Sequence, residues 1–203
     1  MTHKQGRTAN SDTLNAALAK ITKTPALTAG ILKAATEVIA REGCLALGTT
    51  RVGIWRVNHE KKQLESLTSY STLDDMHTVQ EDFPYVDRMY YYELLLKERL
   101  LIINDSKVDN IIPNLLETYG PELSSLLDAP IRVGGELVGV VCIEQFHDVR
   151  YWSMAEQNFA SSLADFTALA MESAERHNAL QALAVSNRRT ETLMSNLPGM
   201  VYQ

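Results

Sequence analysis

A carboxylate standing among aliphatic side chains is the first group in this chain that raises a chemical question. Asp128 lies in Ser125-Leu-Leu-Asp-Ala-Pro-Ile-Arg-Val133, on a strand face shared with Leu126 and Pro130. An ionised carboxylate is costly to bury unless it is paired or hydrogen-bonded. Asp128 is therefore either an acceptor for a donor on a bound molecule or a structural carboxylate that holds loop N–H groups or Arg132. Further along, Glu144, Arg150 and Trp152 form a second cluster. They either close a pocket and couple it to the following segment, or make an Arg–Glu pair with the indole packed beside it. His147 is a lone loop histidine, in a position where a solvated ring is the simpler reading than a haem ligand. The densest aromatic group is Phe83, Tyr85, Tyr90, Tyr91 and Tyr92. These rings either line a ligand site, with hydroxyls to orient the guest, or pack a short helix on a sheet. Asp105 and Asp109 share one polar loop and read as loop caps.

Other chemistries find no support. Cys44 and Cys142 are far apart, have no Cys-x-x-Cys spacing and read as buried, reduced thiols. No His or second Cys stands at zinc-ligand spacing, so no metal site is expected. There is no nucleophile–base arrangement and no phosphate-cradling glycine loop. With 19 Lys and Arg against 25 Asp and Glu, the net charge of −6 carries no electrostatic footprint for nucleic acid. No apolar run approaches the length of a membrane span, and Met1 to Ser11 lack the apolar core of a signal peptide. A cytoplasmic location is expected.

These groups need elements to hold them. Residues 1–12 read as a polar tail. Leu14, Leu18 and Ile21, then after Pro25 Leu27, Ile31, Ala35, Val38 and Leu45, trace one long interrupted helix that Gly48 ends. Arg51 to Asn58 is a strand with Val52 and Ile54 on one face and Trp55 and Val57 on the other, hence covered on both sides. Leu64 to Tyr70 is its hairpin partner. Ser71 to Asp82 reads as a loop, Val86 to Lys97 as a helix, Leu100 to Asn104 as a buried strand and Ile112 to Tyr119 as a short helix. Ser125 to Val133, a Gly134-Gly135 turn and Glu136 to Phe146 form a hairpin, because two glycines suit a tight primed turn. A two-residue turn sets Val133 opposite Glu136 and Asp128 opposite Val141. One face then carries Leu127, Ala129, Ile131, Val138 and Val140. The other carries Leu126, Asp128, Pro130, Leu137, Val141 and Ile143. Ser153 with Glu156 is a capping box opening a helix that runs to about Met194. Along it Phe159, Leu163, Phe166, Ala170, Ser173, His177, Leu180, Ala184 and Asn187 keep 4–3 spacing. That seam predicts a helix packed first on the domain and then leaving it as a weak parallel coiled coil.

The order of elements is that of an α+β domain with an antiparallel sheet. Four stretches narrow it. Ser125 through Glu144 resembles the fourth and fifth core strands of GAF domains. Arg150-Tyr-Trp-Ser-Met-Ala-Glu-Gln157 resembles that family's approach to its last helix, and Arg51-Val-Gly-Ile-Trp-Arg-Val57 and Leu101-Ile-Ile-Asn-Asp-Ser106 resemble its first and third strands. The resemblance covers about residues 25–180. It implies a sheet of five to six strands with helices on both sides and a long C-terminal signalling helix. The implied division is an N-terminal tail and helix over 1–24, a sensory domain over 25–175 and a helical linker over 176–192. Over 193–203, Leu193-Met-Ser-Asn-Leu-Pro-Gly-Met-Val-Tyr202 resembles the opening of a PAS domain.

The resemblance further implies a regulatory sensory module, itself not an enzyme, in a bacterial signalling protein whose output is a histidine kinase or a diguanylate cyclase. Such a module dimerises through its terminal helices and takes a small molecule over one sheet face. The candidate ligand-binding set is Trp55, Phe83, Tyr85, Tyr90, Asp105, Asp128 and Glu144. The dimer and signalling stripe is Leu163, Phe166, Ala170, His177 and Leu180. No cofactor is identified. Bilin-binding members attach chromophore through a Cys followed by His, whereas Leu45 and Ile143 follow the two cysteines here, and haem is not expected either. The cyclic-nucleotide signature of the family is absent. Two other readings stay open, a ligand-free dimerisation spacer and a thiol redox enzyme on the same fold acting through Cys142.

Overall fold

The structure is a computed structural model that describes residues 9–109, 111–112 and 119–195. The chain opens with α1 (Ser11–Thr22), started by Asn10, whose side chain accepts the Asp12 N–H at 3.1 Å. The apolar stripe predicts one long interrupted helix from here to Gly48, and the structure divides it. After α1 the chain makes a 3-10 turn at Pro25–Leu27, passes Gly30 at φ +75°, and only then forms α2 (Leu32–Leu47). Ile31, counted in the helical stripe, lies in this break and is exposed. Gly48 ends α2 in the left-handed conformation at φ 60°, with its N–H returning to the last turn.

Seven strands form the sheet: β1 (Arg51–Asn58), β2 (Gln63–Ser71), β3 (Met76–Thr78), β4 (Phe83–Pro84), β5 (Leu101–Ile103), β6 (Leu123–Val133) and β7 (Glu136–Phe146). Their order is β3-β2-β1-β7-β6-β5, all antiparallel, with β4 pairing β2. The count exceeds the five or six expected because β3 arises inside the predicted loop, where Met76 to Thr78 pair with Ser71 to Ser69, and because two residues at Phe83 add β4.

The β6–β7 hairpin turns at Gly134 (φ 59°) and Gly135 (φ 90°), and Val133 faces Glu136 as expected. Beyond the turn the register departs from expectation. Ile131 pairs Gly139 while Arg132 pairs Leu137, so Val138 is an extra residue in β7. One inserted residue reverses every later side chain, because strand faces have a period of two. Asp128 therefore faces Cys142 and not Val141. Val140 joins the Leu126 face, and Val141 and Ile143 join the Ile131 face. Pro130 is tolerated because, on the side away from β7, β5 reaches only to Asp128.

The two sheet faces carry two cores. One is built by α1, α2 and α4 (Met154–Ser195) over Val52, Ile54, Leu127, Ile131, Val141 and Ile143. The other is covered by α3 (Met89–Lys97) over Trp55, Val57, Leu126, Val140 and Cys142. The split of β1 between Val52/Ile54 and Trp55/Val57 follows the alternation read from sequence.

The capping box forms. Glu156 accepts the Ser153 N–H at 2.8 Å, and Ser153 Oγ accepts the Glu156 N–H at 3.4 Å. The helix it opens has 42 residues. Through Ala174 its inner face is buried, but from Glu175 to Thr192 every side chain is exposed. The N-terminal segment fastens it at both ends of the buried stretch. Ala9 N–H donates to Glu156 at 3.0 Å, Ser173 Oγ donates to the Thr28 carbonyl at 2.9 Å, and a Cβ on Gly30 would stand 2.5 Å from His177 Cβ. α1 thus runs in the same direction as α4. The expected helix over Ile112 to Tyr119 and the residues after Ser195 lie largely outside the described residues.

Candidate functional site

Asp128 sits near the middle of β6, between Cys142 of β7 and Leu101 of β5, wholly buried on the face that α3 covers. Tyr91, in the first turn of α3, donates its hydroxyl to Asp128 Oδ2 at 2.7 Å. Asp128 Oδ1 has no hydrogen-bond partner among the described residues. Burial pushes the Asp128 carboxyl up to about 6, against the lowering effect of the Tyr91 hydroxyl and the Cys142 thiol. The same burial, helped by the negative field of Asp128, raises Tyr91, Tyr119 and Cys142 well above their ordinary values. Among the described residues Asp128 thus holds neither loop N–H groups nor Arg132. Arg132 instead donates to the carbonyls of Leu95 and Leu96 at 2.8 Å, where it caps the end of α3.

Glu144 lies two residues beyond Cys142 on the same face of β7 and is buried. Its partner is Arg51 of β1, directly opposite in the ladder, whose Nε donates to Oε2 at 2.5 Å. Arg51 also lies over the Phe146 ring at 4.9 Å. Burial outweighs this cation and brings Glu144 up to about 7. An Arg150–Glu144 pair therefore does not form. Arg150 bonds Glu156 and the Leu47 carbonyl at 2.5 and 2.6 Å, stacks on Trp152, and so ties the end of α2 to the cap of α4. Trp152 closes the same corner, its indole N–H donating to the Ile103 carbonyl at 3.2 Å.

The aromatic group divides. Tyr91 is buried against Asp128, and Phe83 meets it edge-on at 6.1 Å. Tyr85 and Tyr92 stack at 4.1 Å. Tyr90 points outward, 53% exposed. Trp55 is buried on the Asp128 face, where Gly53 leaves room for it; a Cβ on Gly53 would stand 3.0 Å from the indole nitrogen. Next to Gly53 on β2, Ser69 Oγ is buried without a hydrogen-bond partner among the described residues. Asp105 belongs to a different structure. It accepts the Lys107 N–H at 3.0 Å, while Asp109 accepts the Asn104 and Asp105 N–H groups, which makes both of them loop caps. His147 is exposed at φ 70°.

The structure thus brings Trp55, Phe83, Asp128 and Glu144 to one face and leaves Tyr90 and Asp105 outside it. Residues the sequence set omitted, Tyr91, Cys142, Arg51 and Ser69, complete that face. Tyr91 and Leu95 are four apart, and this helical spacing marks the inward side of α3. Among the described residues no group of three His, Cys, Asp or Glu could hold a metal ion.

The GAF domain family model matches residues 32–171. The chain belongs to the GAF domain family. Its β-sheet, helical layers and long last helix are those of the fold, while α1 and the outer part of α4 fall outside the matched residues. The GAF domain of a phosphoenolpyruvate-protein phosphotransferase from Coxiella burnetii is similar at 16% identity and a TM-score of 0.62, over 84% of this chain and 99% of that one. The blue-light absorbing form of the Thermosynechococcus elongatus PixJ GAF domain is similar at 18% identity and a TM-score of 0.60, over 77% and 93%. The free methionine-R-sulfoxide reductase of Neisseria meningitidis is similar at 12% identity and a TM-score of 0.61, over 87% and 99%. At these identities the likeness is one of fold. No curated protein matches the chain. No helix among the described residues is long and apolar enough to cross a membrane.

Proposed function

We propose that this GAF domain is a regulatory sensory module that binds a small molecule at the sheet face under α3 and passes the outcome along α4 to an output domain. One observation carries the reading. A wholly buried carboxylate, Asp128, holds one oxygen without a hydrogen-bond partner among the described residues, beneath a short covering helix. Leaving such an atom unsatisfied costs on the order of 1–3 kcal/mol, and a bound donor would recover it. The route outward is physical. β5 and β6 flank the site, Trp152 and Arg150 tie β5 and α2 to the α4 cap, and α4 extends past the domain.

Dimerisation belongs to the same proposal, with a change of stripe. Leu163 and Ala170 are buried in the chain's own core, and Phe166 is half-buried there. The surface open to a second copy is the outer extension, where Leu180 and Leu183 are 61% and 58% exposed. By resemblance the output domain is a histidine kinase or a diguanylate cyclase. Thiol catalysis is disfavoured by burial, which pushes the Cys44 thiol up to about 12 and raises Cys142, the opposite of an activated thiolate.

Native mass spectrometry of the freshly purified protein, with an absorption spectrum of the same sample, tests the reading. A reproducible added mass that Asp128→Asn abolishes supports it. Bare protein, together with a high-resolution crystal structure showing the Asp128 face filled by side chains, would replace it with the ligand-free spacer.

A further inference from the structure

We infer that a separate ligand site lies at the root of the exposed arm of α4, in a crevice that takes a small uncharged apolar molecule. The crevice stands apart from the sheet face under α3, and it holds its own guest whether or not that face binds one.

A cavity of about 390 Å³ opens where α4 leaves the domain, between the tip of the β6–β7 hairpin, the end of β1 and the start of α2. Small-molecule sites commonly enclose about 300–1,000 Å³. Leu32, Val133, Val138, Met171 and Ala174 line it, and all but Ala174 are only half-buried. Leu32, Val138 and Met171 pack against the core built by the long helices, so the crevice lies on the sheet face opposite the one that α3 covers.

The register of the hairpin explains why the space is open. Val138 is the extra residue of β7, with Ile131 pairing Gly139 and Arg132 pairing Leu137 on either side of it. A bulge bends its strand and re-aims a side chain. Here it brings Val138 to the crevice at the level where buried Ala174 gives way to exposed Glu175 on α4. The bent hairpin tip and the departing helix diverge, and the cavity is the space between them. On the α4 wall, Met171, Ala174, Glu175 and Asn178 share one face of adjacent turns. Ser173 and His177, which Thr28 and Gly30 grip, lie on another side of the same turns. A guest in the crevice therefore bears on α4 from a side that this anchor leaves uncovered.

Charge selects the kind of guest. The charged lining is Arg56 on one side and Glu172 and Glu175 on the other, with His59 and Asn178 as the remaining polar side chains. Arg56 donates to Glu65 at 2.6 Å, and Glu65 also takes Lys61 at 3.1 Å. Arg176 follows Glu175 on α4. Both signs thus meet at the rim. An ion of either sign would lie against its own sign while giving up water over an aliphatic floor. An uncharged apolar body meets no such cost and covers side chains that are otherwise half-exposed.

Three probes on one ring frame separate charge from shape: naphthalenemethanol is uncharged, naphthalenemethylamine is a cation and naphthoate is an anion. Each is titrated into the whole protein by NMR, with the Met171 methyl reporting on the crevice and the Trp55 indole on the face under α3. Naphthalenemethanol is expected to shift the Met171 methyl, with saturation below about 1 mM, and to bind more tightly than either ion. Val133→Phe and Val138→Phe each fill the crevice from a half-buried position. Each is expected to weaken binding by about tenfold or more, the effect of taking about 60 Å² of apolar contact from the guest. Asp128→Asn, a distant change, is expected to leave this affinity within about threefold. Urea unfolding checks that the Phe variants fold; should one fail, the other carries the comparison, and the ranking of the three probes on the wild type needs neither. No saturable shift of the Met171 methyl, or a folded Phe variant that binds as the wild type does, would overturn the site. An ion that binds more tightly than naphthalenemethanol would overturn the chemistry assigned to the guest. A Trp55 shift that Asp128→Asn abolishes, with Met171 unmoved, would overturn the separate site and leave the face under α3 as the place of binding.

Discussion

Replacing Asp128 with Asn should make the protein more stable at neutral pH, and the size of the gain follows from the burial of the carboxyl. In the folded chain this group titrates at about 6, against an ordinary value of 3.8. A folded value above the unfolded one means that the folded state holds the proton more firmly. The corresponding stability is fully present below about pH 4 and is lost as pH rises through about 6. A carboxyl raised by that much gives up about 3 kcal/mol by pH 7, at about 1.4 kcal/mol for each tenfold change in proton affinity. Asn cannot ionise and escapes that loss, but it accepts the Tyr91 hydroxyl less strongly than a carboxylate does. The net gain above pH 7 should be about 1–3 kcal/mol, shrinking toward zero near pH 4. Glu144, also raised by burial, to about 7, gives both proteins a further decline with pH. Removing the nearby Asp128 charge eases its ionisation, which adds to the gain with the same sign. Urea unfolding followed by the fluorescence of Trp55 and Trp152, at about pH 4.5 and about pH 7.5, reads the difference directly. An Asn variant less stable than the wild type at the higher pH, or a gap that does not widen with pH, would refute the reasoning.

Removing Arg51 leaves Glu144 buried without its cation, so Arg51→Met should destabilise by about 3 kcal/mol, more than Glu144→Gln does, as read from urea midpoints. Gly30→Ala combines a left-handed backbone with a Cβ 2.5 Å from His177 Cβ, and should lower stability by about 1–3 kcal/mol, with His177→Ala restoring only the steric part. Both cysteines should resist a thiol reagent in the native protein and react together only after unfolding; fast native reaction of Cys142 would revive the redox reading. Leu180→Asp and Leu183→Asp should weaken self-association in analytical ultracentrifugation with little change in folding stability, whereas Leu163→Asp should unfold the domain, because Leu163 is core.

What was legible in the sequence was local. The Gly134-Gly135 turn, the Ser153–Glu156 capping box and the two-faced strand holding Val52 and Trp55 each depend on residues a few positions apart. What stayed hidden was non-local. Val138 is an ordinary strand residue in sequence, and only the pairing of β7 with β6 makes it a bulge that turns Cys142 toward Asp128. Arg150 chose Glu156 over Glu144 because the strand ladder had already set Arg51 opposite Glu144. The helix seam left its use open for another reason. A stripe at 4–3 spacing serves equally well to bury a helix in its own domain, and Leu163 and Ala170 are used that way. Tyr90, Tyr91 and Tyr92 are indistinguishable by type, and only the helical phase of α3 sends Tyr91 inward and Tyr90 to solvent.

The exposed stretch of α4 beyond Ala174 runs for roughly 30 Å at 1.5 Å per residue. Mechanically it is a lever whose fulcrum lies where Thr28 and Gly30 press on Ser173 and His177. A tilt of about 5° at that fulcrum sweeps the far end through about 2–3 Å, roughly half a helical turn, while side chains near the pivot move by only tenths of an ångström. On the proposed reading, a guest beneath α3 would therefore need to produce only a slight strain in the sheet. The length of the arm would turn that strain into a displacement large enough for a neighbouring domain to detect.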